Sequence, residues 1–231
     1  IRRTVAFAEA VSEGECTVEG ITARRVDEAQ EALRLSYEGI VPVVVDSEAQ
    51  VVRQLKPFAF VDAILAKRNV GTRREDAEVV IGLGPGFVAG EDVDVVIETN
   101  RGHELARVIL EGSATPNTGV PGNVGGHSAE RVLRAPRDGV FRTVRQIADQ
   151  VKAGETVAEV EGRPVVTAID GVLRGLLRDG LKVTEGFKVG DVDPRCRREH
   201  CFTISDKARA IGGGVLEALL MHLSSRKRVA G

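Results

Sequence analysis

The chain lacks tryptophan and is poor in all aromatic residues, which make up 3 % of its 231 residues. Its hydrophobic share of 42 % is enough for packed cores, so these cores must be built from aliphatic side chains. With so few aromatic rings, the chain has few side chains on which nucleic-acid bases could stack. Its net charge of −2 also does not provide the positive potential that binding to phosphate backbones needs. The composition therefore predicts a globular protein that does not bind nucleic acid.

Cysteine is equally scarce, with only Cys16, Cys196 and Cys201. An odd and sparse set is typical of a reducing compartment and predicts a cytoplasmic location. No apolar run is long enough to cross a bilayer and no signal-peptide pattern is present, so no membrane association is predicted. Cys196 and Cys201 flank His200, but the spacing is not that of a zinc site. No metal site is predicted, and a thiol activated by the nearby arginines is the alternative.

The clearest feature present is an internal repeat. Residues 138–160 return without a gap as residues 170–192, 32 positions later, and eight of the 23 positions are identical. Each half consists of an Asp-Gly turn and short strands with alternating valines, a pattern of half-buried strands. Two such halves are expected to close on each other as one small barrel.

This order of turns and strands resembles the barrel-sandwich hybrid of biotinyl and lipoyl carrier domains. Those domains carry their prosthetic group on a lysine in the hairpin between the two halves. The corresponding hairpin here, residues 161–165, has no lysine. We therefore interpret the region as a structural or docking barrel and not as a swinging-arm carrier.

Strand-like and helix-like segments alternate ahead of the repeat. A helix is predicted over residues 27–38, with Asp27 as its N-cap and Gly39 as its stop. Apolar runs predict further strands, and such runs are typical of a parallel sheet covered on both faces. These runs are residues 40–46, 58–65, 78–82 and 93–98. The alternation predicts an α/β fold with a Rossmann-like parallel-sheet layer.

Three segments are predicted from this organisation. Residues 1–130 form the Rossmann-like domain and include a long loop rich in Gly and Pro at 111–130. Residues 131–194 form the barrel-sandwich hybrid. Residues 195–231 form a C-terminal helical segment, in which the triple glycine at 212–214 is expected to break or bend the helix.

The sharpest candidate site is a glycine-rich turn directly after a predicted strand. Gly82, Gly84 and Gly86 stand at alternate positions, where backbone N–H groups could approach a phosphate or another anion. The spacing is not the dinucleotide fingerprint, because the third glycine is misplaced. A tight strand-end turn without a ligand is the alternative.

A polar cluster follows the next predicted strand, where α/β sheets bind their ligands. Its members are Thr99, Asn100, Arg101 and His103. Arg101 could clamp an anion through two parallel hydrogen bonds, and His103 could donate or accept one. The alternative is a buried polar network that joins the strand to the following loop.

Two further residues complete the predicted cofactor-binding set. Asn117 lies in the long loop, and Lys207 follows Ser205 and Asp206 at the predicted start of the C-terminal helix. Lys207 could contact a ligand, whereas the alternative for this motif is helix capping by Ser205 or Asp206. No catalytic residue is identified, because no triad, metalloprotease motif or phosphate-binding loop is present.

Taken together, these motifs resemble the selenium-dependent molybdenum hydroxylase maturation family of the YqeB type. The stretches that carry the resemblance are residues 81–90, 98–103, 116–119, 130–136, 190–194 and 204–217. The resemblance implies an accessory protein for molybdenum hydroxylases that carry a labile selenium. It also implies that a first Rossmann strand with its glycine turn precedes the start of this chain.

The predicted function is therefore that of an accessory or maturation factor with a molybdenum hydroxylase as its client. It would bind an anionic cofactor at the strand ends, such as a nucleotide or a molybdopterin dinucleotide. Two alternatives stay open: a dinucleotide-dependent oxidoreductase, and a scaffold without a small-molecule site. The sequence decides neither whether the protein is an enzyme nor its oligomeric state.

Overall fold

The computed structural model describes residues 1–229, with side chains described up to residue 225. Its contacts group the chain into two compact units. Unit 1 contains Ile1–Val44 and Val120–Ile204, and unit 2 contains Val45–Gly119 and the segment from Ser205 onward. In this grouping the first 44 residues contact the repeat region, and the C-terminal helix packs on the strands of unit 2. The predicted domain boundaries stay a prediction.

The start of unit 1 is a small three-stranded sheet with two helices. The elements are α1 (Ala10–Glu13), β1 (Glu15–Val18), β2 (Ile21–Arg25), α2 (Ala29–Tyr37) and β3 (Val41–Val43). β1 and β2 form an antiparallel hairpin, and β3 pairs with β2 in parallel.

The predicted helix at 27–38 is α2, but its predicted N-cap is wrong. Glu28 occupies the N-cap without a side-chain hydrogen bond, and Asp27 instead lies 3.5 Å from the Arg25 guanidinium. The predicted stop is confirmed. Gly39 has φ +77°, and the next residue, Ile40, donates its backbone N–H to the Leu35 carbonyl at 3.0 Å, which closes the helix end.

Unit 2 contains a four-stranded mixed sheet. Its elements are α3 (Gln50–Leu55), β4 (Ala59–Asp62), β5 (Val79–Leu83), β6 (Val95–Ile97) and β7 (Val108–Ile109). The strand order is β4-β5-β6-β7, with β4, β5 and β6 parallel and β7 antiparallel at the edge. β5 is buried at every position, as its continuous apolar run predicts. The carboxyl ends of three strands thus meet along one edge.

The last helix, α4 (Asp206–Val229), is continuous, so a break at the triple glycine is wrong, and a bend there stays a prediction. A side chain at Gly214 would place its Cβ 2.5 Å from the Ala106 carbonyl oxygen and 3.1 Å from Ile97 Cγ2. The glycine therefore lets the helix approach the β6–β7 connection closely, and tertiary packing offsets its low helix propensity. Ala218 on the same helix is buried against the β5 and β6 core.

The repeat region of unit 1 holds eight strands. They are β8 (Val132–Arg134), β9 (Gly139–Thr143), β10 (Gln150–Val151), β11 (Thr156–Val160), β12 (Arg163–Val166), β13 (Gly171–Leu176), β14 (Lys182–Val183) and β15 (Lys188–Asp193). Two four-stranded sheets form, in the orders β10-β13-β15-β8 and β14-β9-β11-β12. A shift of 32 residues converts each strand of one sheet into a strand of the other, so the sequence repeat is a structural repeat.

Matched hydrogen bonds hold the two halves together. Phe141 N–H donates to the Leu181 carbonyl at 2.8 Å, and its repeat partner Leu173 donates to the Asp149 carbonyl at 2.9 Å. Both sheets face one aliphatic core around Phe141, which is fully buried. Within the described residues the strand ladders end at β8, β10, β12 and β14 and no closed barrel forms, so the predicted closure is wrong.

The chain between residues 111 and 130 is mostly irregular, as predicted. Its only regular features among the described residues are an isolated bridge from Val124 to His127, one from Gly112 to Ala89, and the start of a 3-10 turn at Ala129. Over the described residues, no helix has the length and apolar content that crossing a membrane requires.

Candidate functional site

The carboxyl-terminal edge of β4, β5 and β6 brings together several of the predicted site residues. Gly84 and Gly86 follow β5, whereas Gly82 lies within the strand and not after it as predicted, and the polar segment 98–101 follows β6. The first turn of α4 belongs to the same unit and contacts this edge through the ion pair of Arg101 with Asp206. Several of the predicted residues thus lie close together, although they come from distant parts of the sequence.

The three glycines have a packing reason in each case. A Cβ at Gly82 would lie 2.5 Å from the Phe87 ring, and one at Gly84 would lie 2.5 Å from Thr99 Oγ1. A Cβ at Gly86 would lie 2.6 Å from the Arg68 backbone. Protein atoms already occupy the space that these glycines leave, so the geometry favours the tight-turn alternative over direct approach of a ligand. Their anion-binding role stays a prediction.

Glu98 holds the polar segment 98–101 in place through hydrogen bonds to its carboxylate. Its carboxylate is 3 % exposed and accepts the backbone N–H groups of Asn100 and Thr115, each at 2.7 Å. Burial alone would raise the pKa of Glu98, but these hydrogen bonds outweigh it and hold that pKa below its usual value. An ionised Glu98 therefore ties the loop after β6 to the start of the long loop.

Arg101 is engaged within the protein. Its guanidinium forms two parallel hydrogen bonds to the Asp206 carboxylate, at 2.8 and 2.9 Å. This is the fork geometry predicted for an anion clamp, but here the anion is a side chain of α4. Asp206 remains largely exposed, so a ligand anion of the same shape could exchange with it.

Lys207 is half-buried next to other cations. Burial has the largest effect on the pKa of its amine and lowers it. The nearby charges of Arg101 and Lys67 lower that pKa further, whereas the charge of Glu98 raises it. The charges of Arg101 and Lys67 thus act on Lys207 more strongly than the opposing carboxylate of Glu98, which leaves an excess of positive potential around its amine. A partly desolvated excess of this kind favours an anionic ligand.

The structure separates two predicted residues from this group. The His103 side chain is 90 % exposed, and its nearest ionic neighbour is Glu104 at 3.9 Å. Asn117 is exposed and accepts the Gly119 N–H at 3.4 Å, a distance too long for a strong hydrogen bond. Thr99 is buried against Gly84, where it fixes the two strand ends rather than facing solvent.

The capping alternative for the start of α4 is confirmed. Ser205 Oγ accepts the Ala208 N–H at 3.2 Å. Sequence reasoning missed Lys67, Glu98 and Asp206 as site members. A usable signal existed for Lys67, because it follows the apolar run of β4 and so falls at the same sheet edge as the glycines.

The cysteines take no part in this edge. Cys201 is buried in unit 1, where burial raises the pKa of its thiol above the usual value. That shift opposes the activated thiolate considered from the sequence. All three cysteines are free thiols, and no group of three or more His, Cys, Asp or Glu side chains is arranged for a metal ion within the described part of the chain.

Comparison with known proteins identifies one strong similarity. The chain is 53 % identical over 221 residues to the Uncharacterized protein YqeB of Escherichia coli K12. The match covers 96 % of this chain but 41 % of that protein, so the chain spans about two fifths of the length of the curated relative it matches. The similarity supports the YqeB-type resemblance over this region. No family model matches the chain.

Solved structures give weaker similarities. An aspartoacylase family protein from Mesorhizobium loti is 15 % identical, with a TM-score of 0.25 over 36 % of this chain and 32 % of that one. A succinylglutamate desuccinylase/aspartoacylase from Rhodobacter sphaeroides is 25 % identical, with a TM-score of 0.24 over 38 % of this chain and 30 % of that one. TM-scores of this size carry no argument about activity.

Proposed function

We propose that this chain is part of an accessory or maturation factor for selenium-dependent molybdenum hydroxylases. In this proposal, unit 2 binds an anionic cofactor or nucleotide at the carboxyl ends of β5 and β6. A molybdopterin dinucleotide is one candidate ligand. The molybdenum hydroxylase client is the proposed protein partner.

The observation that carries the proposal is the excess of positive charge around Lys207. Its amine is half-buried beside Arg101 and Lys67, and Glu98 is already committed to two backbone N–H groups. An anion entering there would offset the mutual repulsion of the three cations and the loss of solvation at Lys207. The edge of a parallel sheet is also where α/β proteins bind nucleotides.

The strand order in each unit also supports the proposal. The parallel order β4-β5-β6 supports a Rossmann-like assignment for unit 2. The two matched four-stranded sheets support a barrel-sandwich hybrid assignment for the repeat region. We propose that this repeat region docks the client, because its hairpin at Glu161 and Gly162 has no lysine to carry a prosthetic group.

The test is native mass spectrometry of the protein with CTP, NAD(H), NADP(H) and molybdopterin cytosine dinucleotide. We expect a stoichiometric adduct with at least one of them. Lys207→Gln should weaken that adduct by about tenfold or more, because a charge-assisted contact is worth about 1.5–3 kcal/mol. Lys182→Gln is the matched control, since Lys182 is an exposed lysine of unit 1.

A second readout addresses the maturation role. Client molybdenum hydroxylase activity should fall in cells that carry Lys207→Gln and remain normal with Lys182→Gln. An adduct that survives Lys207→Gln would contradict the site. A lost adduct with full client activity would contradict the maturation role, and no adduct with any ligand would favour a scaffold.

A further inference from the structure

A separate cavity of about 270 Å³ lies in unit 2 on the outer side of β4. It is lined by α3, by β4 and by the segment that follows β4. None of its lining residues belongs to the strand-end site described above. The volume falls just below the usual range for drug-sized ligands, so the cavity suits a small metabolite.

One wall of the cavity is apolar. Val52 from α3, Phe60 from β4, and Ile64 and Val70 from the following segment line it. Ile64 is 69 % exposed and Val70 is 50 % exposed, an unusual arrangement for two large aliphatic side chains that face one concave surface. Such a surface gains free energy when an apolar body covers it.

The backbone around this wall is held firmly. Buried Asp62 accepts the Thr72 hydroxyl at 2.6 Å and the Ile64 N–H at 3.0 Å. Asn69 Oδ1 accepts the N–H groups of Gly71 and Thr72, both at 2.9 Å, and fixes the turn. Because these bonds precede any binding, the cavity is preformed.

The rim of the cavity carries both signs of charge. Arg53 and Arg73 line it together with Glu48 and Asp76. Neither guanidinium forms an ion pair within the part of the chain whose side chains are described. Asp76 uses one carboxylate oxygen to accept the Arg73 backbone N–H at 2.9 Å, which leaves the other oxygen for a ligand.

Strained backbone conformations at this cavity also indicate a ligand site. Ala49 lines the cavity with φ +51°, and Leu65, next to Ile64, has φ +58°. Left-handed conformations cost a non-glycine residue free energy and concentrate at ligand sites.

From these features we propose that the cavity binds the zwitterion of an apolar α-amino acid. The carboxylate pairs with Arg73, the ammonium pairs with Glu48, and the side chain covers Val52, Phe60, Ile64 and Val70. Balanced charge on the rim distinguishes this site from the strand-end site, whose excess of positive charge favours an anion. The proposal is independent of the function proposed above.

Methyl NMR titration tests the proposal with three related probes. L-phenylalanine carries both charges, 3-phenylpropanoate lacks the ammonium, and 2-phenylethylamine lacks the carboxylate. We expect L-phenylalanine to shift the methyl signals of Ile64 and Val52 in a saturable way. Each of the other two should bind about tenfold more weakly, because it forfeits one charge-assisted contact.

Variants assign the two charges. Arg73→Gln should weaken L-phenylalanine about tenfold and leave 2-phenylethylamine unchanged, whereas Glu48→Gln should weaken L-phenylalanine and leave 3-phenylpropanoate unchanged. Val70→Trp should abolish binding by filling the cavity, and unchanged signals elsewhere would verify its fold. Arg163→Gln, at an exposed arginine of unit 1, is the matched control.

Three outcomes would overturn the proposal. The first is the absence of saturable shifts at Ile64 and Val52. The second is equal affinity for all three probes, which would show that only the apolar wall of the cavity contributes to binding. The third is an equal change in L-phenylalanine affinity with Arg73→Gln and Arg163→Gln, which would show that the charged rim does not contribute to binding.

Discussion

The two halves of the repeat share a core but end in different surroundings. Phe141 and its repeat partner Leu173 are both fully buried in one cluster, and Val157 and its partner Val189 lie in the same cluster. The hydrogen bonds between the two halves also come in equivalent pairs. Asp138 accepts the Glu185 N–H at 2.7 Å, and Asp170 accepts the Ala153 N–H at 2.8 Å, and these donors are again 32 positions apart.

The difference lies at the ends of β11 and β15. The first half ends at Glu161, an exposed turn residue whose carboxylate accepts the Val140 N–H at 2.9 Å. At the equivalent position of the second half stands Asp193, which is 1 % exposed. Its carboxylate contacts Arg195 at 2.6 Å and Arg174 at 3.5 Å. The core is therefore duplicated, whereas the polar end of one copy has become a buried ionic cluster.

The repeat is constrained in its core and not at its polar ends. Aliphatic packing is symmetric because matched positions of the two halves, such as Phe141 with Leu173 and Val157 with Val189, are buried in one cluster. The polar ends carry no such requirement and have diverged. The largest expected effects of substitution at matched polar positions therefore lie at Asp193 and not at Glu161.

Asp193→Asn should cause the largest loss in the free energy of unfolding. It removes the charge that compensates Arg174, which is itself only 11 % exposed, and an uncompensated buried charge costs about 3 kcal/mol or more. Chemical denaturation should show this loss in the free energy of unfolding. Glu161→Gln keeps a hydrogen-bond acceptor at an exposed turn and should change that free energy by less than about 0.5 kcal/mol. Similar losses for the two variants would contradict the assignment.

Acid should remove the stabilising contribution of the Asp193 carboxylate. Burial alone would raise the pKa of Asp193, but hydrogen bonds and charge from Arg195, together with the charge of Arg174, lower it to about 2. A depressed carboxyl pKa stabilises the fold above the unfolded value near pH 4, and this contribution disappears as the pH falls towards 2. The contribution is about 2 kcal/mol for a shift of this size.

The measurement is the free energy of unfolding between pH 5 and pH 2. The difference between the unsubstituted protein and Asp193→Asn should shrink as the pH falls through this range. Glu161→Gln supplies the baseline for general acid effects. A difference that stayed constant down to pH 2 would mean that Asp193 does not hold this charge in the folded state.

Sequence patterns predicted the local elements better than their arrangement. The repeat, the strands and the stop of α2 at Gly39 follow from turn chemistry and apolar periodicity, which act over a few residues. The continuity of α4 could not be predicted, because Gly214 is required by the distant Ala106 carbonyl oxygen and not by its neighbours in the helix.

The candidate site shows the same limit. Polar residues after an apolar strand pointed to Thr99 and Arg101 at one sheet edge, whereas Lys207 was chosen from the predicted start of the C-terminal helix, and the ligand-binding role of all three stays a prediction. The partner of Arg101 depends on a contact with Asp206, 105 positions later, so sequence spacing offered no way to find it. Glu98 was missed as an organiser, since its role depends on the Thr115 N–H and on its depth of burial.

A smaller effect than that of Asp193→Asn is expected at two glycines in equivalent positions of the repeat. Gly154 has φ +83° and Gly186 has φ +76°, and a Cβ at either position would meet no atom within 4 Å. Alanine at either site should therefore cost only the backbone strain of a left-handed residue, about 1 kcal/mol. Denaturation of Gly154→Ala and Gly186→Ala should give equal losses. Unequal losses would show that the divergence seen at Glu161 and Asp193 extends into the turns, and that the repeat is symmetric only in its core.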